Sequence, residues 1–175
     1  TGDILHKKGE EQEAFAAYDS CLQWKDDNVM ALNNYAYYLS EKGVDLHKAE
    51  SMSYKTIKAE PNNGTYLDTY AWILFMEERY ADAKTYIDQA LKNRDSTADN
   101  STVLEHAGDI YYMNGMADES VDFWKKAYTG ENQTEVLAWK IKNRQYITEE
   151  ELKKRNAPKQ KPAATKKSVR KGKKK

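Results

Sequence analysis

Side chains able to do chemistry are few in this 175-residue chain, and their spacing assembles no reactive set. Cys21 is the single cysteine, which excludes an internal disulfide. Of the three histidines, His6 stands three residues after Asp3, and His106 three before Asp109. Residues three apart share a helical face, so each pair offers two ligands to a metal ion. A zinc site takes three or four protein ligands, and no others fall at a matching spacing. The sequence also lacks a glycine-rich phosphate loop, a nucleophile elbow and an H-E-x-x-H helix. These observations predict a protein that is not an enzyme and holds no cofactor or metal. What remains for function is surface chemistry, and the elements that present it are legible from a repeat.

Small residues recur at Gly2, Ala36, Ala71 and Gly108, at intervals of 34, 35 and 37. A second set follows at Ala14, Ala49, Ala83 and Ser120, and a third at Cys21, Thr56, Ala90 and Ala127. Helices that cross closely need a small side chain at the crossing, and a period near 34 points to stacked helical hairpins. The larger apolar residues obey helical spacing in each first helix: Leu32–Tyr35–Leu39, Leu67–Tyr70–Leu74 and Leu104–Ala107–Tyr111. In the second helices the small residue is followed four positions later by Tyr18, Ser53, Ile87 and Trp124. Helices are expected at 10–24, 28–41, 46–59, 65–77, 80–93, 101–114, 117–128 and 133–144. The last carries Val136, Leu137 and Ile141 on one face and is expected to close the open end of the stack. Thr148 and Glu151 form a capping box ahead of Leu152. The longer intervals reflect polar loops near residues 43–47 and 93–100.

This pattern resembles the tetratricopeptide repeat (TPR), with its W-x2-L-G-x2-Y, A-x3-F and closing-proline signature; Pro61 occupies the closing position of the second unit. Ser53 departs from it, being polar where an aromatic is usual, and the opening Trp is absent. The resemblance implies an all-α, right-handed superhelical stack of about 3.5 hairpins with a C-terminal capping helix. The expected organisation is an array over residues 1–128, a capping helix and linker over 129–152, and a basic tail over 153–175. The first unit starts in mid-helix, which predicts further repeats upstream. Residues 31–75 are similar to repeat proteins of Bacteroidetes cell envelopes, which implies a periplasm-facing lipoprotein setting; a cytoplasmic one is the alternative.

In the family, ligands lie along the concave side against the first helices. Carried over, that face holds Asp3, His6 and Lys7, then Met30, Asn33, Tyr37, Ser40 and Glu41. The third unit contributes Thr65, Asp68, Trp72, Phe75 and Met76, and the fourth Thr102, Glu105, Asp109, Tyr112 and Met113. Asn33, Tyr37, Asp68, Trp72, Phe75, Met76, Glu105, Asp109 and Tyr112 are the candidate groove residues. Trp72, Phe75 and Tyr112 are expected to be accessible anchors. Asn33, Asp68 and Glu105 stand where carboxylate-gripping members of the family carry Lys and Arg, so the resemblance implies a protein or peptide segment of apolar and basic character.

Net charge is zero only because two regions cancel. Residues 1–152 carry all 28 acids against 16 Lys and Arg, while the tail from Lys153 to Lys175 has the other 12 basic residues and no acid. Its composition predicts disorder. An alternative function is therefore a tether to an anionic polymer or surface through residues 153–175. The tail lysines have no interleaved aromatics, so specific nucleic-acid readout is not expected. At low salt the tail is expected to be drawn toward the groove acids Asp3, Asp68, Glu105 and Asp109.

Overall fold

The computed structural model describes residues 11–24 and 28–157; the predicted features at Gly2, Asp3, His6 and Lys7, the side chain of Cys21, and the tail beyond 157 lie outside them. Among the described residues the chain is all-helical. The α-helices are α1 (Glu11–Trp24), α2 (Val29–Lys42), α3 (Leu46–Ala59), α4 (Gly64–Met76), α5 (Tyr80–Asn93), α6 (Ser101–Met113), α7 (Ala117–Ala127), α8 (Glu135–Asn143) and α9 (Glu149–Asn156). The eight expected helices are all present, with ends displaced by at most two residues.

Local signals set these boundaries. The Asn28 side chain accepts from the Ala31 amide at 3.0 Å, and Asn63 from the Thr65 and Tyr66 amides at 3.1 and 3.2 Å, satisfying donors that a helix start leaves orphaned. Gly43 ends α2 in the left-handed region (φ 64°), where a side chain is disfavoured. Thr148 and Glu151 form the reciprocal capping box of α9.

Each first helix packs on its own second helix, and α2, α4 and α6 also touch one another in order. They form one continuous layer, with α3, α5 and α7 packed against it. The small residues sit where the helices cross: Ala36, Ala49, Ala71, Ala83, Ala90 and Ala127 are all fully buried. Ser53 and Ser120 are fully buried too, and among the described residues neither hydroxyl has a partner, so both serve as small spacers. At Gly108 the requirement is tightest. A Cβ there would come within 2.3 Å of Cδ1 of Trp124, whose indole is itself fully buried.

The C-terminal part departs from expectation. Residues 144–152, expected to be a linker, turn back on the array and enter α9, and Lys153 to Asn156, assigned to the tail by composition, are its last turn. The capping box starts this helix, and Lys153–Glu149 and Lys154–Glu150 pairs at 2.6 and 2.7 Å sustain it.

Gly108→Ala is expected to lower stability by ~1–3 kcal/mol through overpacking against Trp124, in spite of alanine's better helix propensity. Thermal denaturation followed by circular dichroism measures it.

Candidate functional site

The first-helix layer carries two clefts that share Tyr37 and Thr102. One, of about 610 Å³, is polar. Asn33, Asn34 and Tyr37 of α2, Asn63, Thr65, Asp68 and Thr69 of α4, and the 93–100 loop line it. That loop, foreseen as a bulge, is held by Asp95 accepting from the Thr97 amide at 2.8 Å and Asp99 accepting from the Ser101 amide at 2.9 Å. The other cleft, of about 490 Å³, has Tyr37, Glu41, Trp72, Met76, Glu105 and His106 on the array side, and Lys140, Tyr146, Ile147 and Glu149 on the C-terminal side.

A chain of rings crosses the second cleft. Tyr37 stands 6.1 Å from His106, His106 stacks on Trp72 at 4.1 Å, and Trp72 stacks on Phe75 at 4.7 Å. Tyr146 then meets Phe75 edge-on at 5.7 Å and lies 6.5 Å from Tyr112. The expected anchors therefore behave differently. Trp72 is half-buried, with its ring committed to two neighbours. Phe75 is only 5% exposed, packed among Trp72, Tyr80 and Tyr146. Tyr112 is half-buried between Tyr146 and Trp124.

The acids of this face are not loose negative charge. His106 Nδ1 lies 2.9 Å from an Asp68 carboxylate oxygen, bridging α6 to α4. This replaces the sequence pairing of His106 with Asp109, which rests on spacing along one helix. Burial opposes protonation of His106, but the carboxylates of Asp68, Asp109 and Glu105 outweigh it, and its pKa lies above the ordinary histidine value. Asp109 is 3% exposed and receives Lys140 Nζ at 2.8 and 2.9 Å and Trp124 Nε1 at 2.9 Å. Lys140 also reaches Glu105 at 3.2 Å, and Asn132 bonds the other Glu105 oxygen at 3.2 Å. The unmatched acidity ascribed to Asp68, Glu105 and Asp109 is thus reduced: Asp68 is paired with His106, and Glu105 and Asp109 share the single ammonium of Lys140. Among the described residues no three His, Cys, Asp or Glu side chains gather as a metal site.

Lys140 is the residue that sequence reasoning missed. Its signal was present. It lies three residues after Leu137 and four after Val136, on the apolar face of α8, where a lysine enters only if acids meet it. Lys140 is 4% exposed, and its ammonium pins α8 to α6.

Lys140→Met strands Asp109 as a buried charge and is expected to cost ~3–5 kcal/mol, measured by chemical denaturation. The His106–Asp68 pair acts with the opposite pH sense to a carboxylate. Its stabilisation is complete below the unfolded histidine pKa of about 6.5 and is lost as pH rises through the higher folded value. The stability gap between the unaltered chain and His106→Gln is therefore expected to be widest at acid pH and to narrow above neutrality, as read from melting temperatures across a pH series.

No protein-family profile matches the chain. A TPR repeat-containing protein of Pseudomonas aeruginosa is 35% identical over 66 residues, which is 38% of this chain and 11% of that protein. The chain thus spans about a ninth of the length of the curated relative it matches. Pseudomonas aeruginosa PilF superposes over 82% of this chain and 64% of its own with a TM-score of 0.68 at 16% identity. MamA superposes over 82% of this chain and 81% of its own with a TM-score of 0.62 at 17% identity. No helix of the described residues is long and apolar enough to cross a membrane. Period, crossing residues and superpositions agree: the chain has the right-handed helical-hairpin fold of the tetratricopeptide-repeat proteins.

Proposed function

We propose that the chain is a non-catalytic interaction scaffold. It holds an extended segment of another protein along the concave first-helix face, within a bacterial multiprotein or envelope assembly. In this reading residues 1–128 are the array, 129–152 its cap and connection, and 153–175 a basic extension whose first four residues are the last turn of α9. The observation that carries the reading is the pair of joined clefts, which runs along three successive first helices with a polar half and an aromatic half.

An extended segment brings backbone N–H and C=O groups that lose water on docking. The carboxamides of Asn33, Asn34 and Asn63 supply both donors and acceptors beside that path. Tyr37, Trp72 and Met76 supply apolar surface. Preference for basic residues rests on Asp95 and Asp99, which outnumber Arg94 at one mouth, and on Glu41 and Glu149 at the other, rather than on Asp68, Glu105 and Asp109. Asp68 and Glu105 are contact residues through their remaining lone pairs, and Asp109 acts through Lys140. The envelope setting is the one that the sequence resemblance of residues 31–75 to Bacteroidetes repeat proteins implies. The second reading, a tether to an anionic polymer through residues 153–175, is favoured only by the acid-free run of 12 basic residues.

Joint truncation Tyr37→Ala and Trp72→Ala is expected to weaken a partner captured from the native organism by ~2 kcal/mol or more, about thirty-fold, with helix content retained. Titration calorimetry reads this. An unchanged Kd would move the working surface off this face.

A further inference from the structure

The aromatic end of the groove already holds a segment of the chain itself. After α8 the backbone turns sharply at Arg144, in the left-handed region (φ 54°), and brings Tyr146 and Ile147 against the first-helix layer. Tyr146 sits on Phe75 and beside Tyr112, with Lys140 Nζ 5.3 Å from its ring centroid. Ile147 is 3% exposed. Two of the three residues that the repeat resemblance marks as partner anchors thus have an intramolecular occupant.

The rest of the arm is lightly held. In α9 only Leu152 is buried; Arg155 lies over Trp139, and Asn156 bonds Glu135 at 3.0 Å. The capping box and the two i,i+4 pairs of α9 are all internal to the arm, so they survive if it lifts away. A short strap with local helical support and few ties to the body is drawn from the low-stability end of a fold.

We propose that Tyr146–Ile147 is a built-in competitor. It occupies the seat formed by Phe75, Tyr112 and Trp72, and the partner segment that takes this seat carries an aromatic residue followed by a branched aliphatic one. The inference rests on the groove reading above and specifies its ligand. The occupant's chemistry is the template: an aromatic–aliphatic pair, preceded two residues earlier by a cation, Arg144, which pairs with Asp118. Binding then requires the arm to leave. The apparent affinity of any such segment is reduced by the fraction of molecules whose seat is open.

The test uses the full chain and a fluorescein-labelled peptide of residues 142–150, with fluorescence anisotropy as the readout. Tyr146→Ala with Ile147→Ser in the protein empties the seat, and is expected to tighten peptide binding by about ten-fold or more over the unaltered chain. The same peptide with both positions replaced by alanine is expected to bind neither protein. Equal affinity of the two proteins for the unaltered peptide would overturn the competitor while leaving the groove reading standing. Absence of binding to the emptied protein, with its helix signal intact, would overturn the seat itself; the Tyr37 and Trp72 truncations still judge the groove reading separately. Should the double variant lose helix signal, Leu152→Ser loosens α9 away from the seat and is expected to give the same ordering. No tightening there would equally sink the proposal.

Discussion

Two helices approach to the 8–10 Å of close packing only where the side chains between them are small, and in a solenoid this condition returns with every unit. Ala36, Ala71 and Gly108 meet it in the first helices, and Ala49, Ala83 and Ser120 in the second. The fourth unit shows how narrow the tolerance becomes. Gly108 must lack a Cβ because Trp124 fills that space, and Trp124 must be there because its indole N–H satisfies Asp109. Remove the small residues and the layer α2–α4–α6 cannot form, and with it goes the face that carries both clefts.

Asp109 links the fourth unit to the C-terminal cap. Its carboxylate is buried, so it requires donors, and it draws them from Trp124 within its own hairpin and Lys140 on the cap. A buried ion pair adds little net stability when compared with apolar replacements, but losing one partner is expensive. Its value here is positional. It sets α8 against α6 in one register, and the turn at Arg144 then delivers Tyr146 and Ile147 to the first-helix face. The same ammonium is shared by Asp109 and Glu105 and so offsets one of their two charges, and His106, when protonated, offsets Asp68. The face is thereby divided into a polar half that stays open and an aromatic half with its own occupant. The basic tail expected there from charge lies outside the described residues; the segment that lies on the aromatic half is the pair Tyr146 and Ile147, held by packing.

What the sequence determined by itself was whatever depends on contacts that recur at a fixed interval. The period of small residues, the apolar spacing within each first helix and the polar inter-unit loops all report local or nearest-neighbour physics, and the helix positions came from them to within two residues. The α9 capping box was equally legible because it spans only Thr148 to Glu151. The candidate groove was legible as a set of positions on one helical face. What only the tertiary structure decided was which of those positions stay open and which charges stay unmatched. Phe75 and Tyr112 read as exposed because the residue that covers them lies more than thirty positions away. The apolar face of α8 marks Lys140 as a lysine that needs acids, but which acids meet it was decided only by the packing of α8 on another helix. The physical reason is the same in each case: a repeat makes neighbours predictable at one spacing, whereas a chain end that folds back makes contacts at separations that no periodicity encodes.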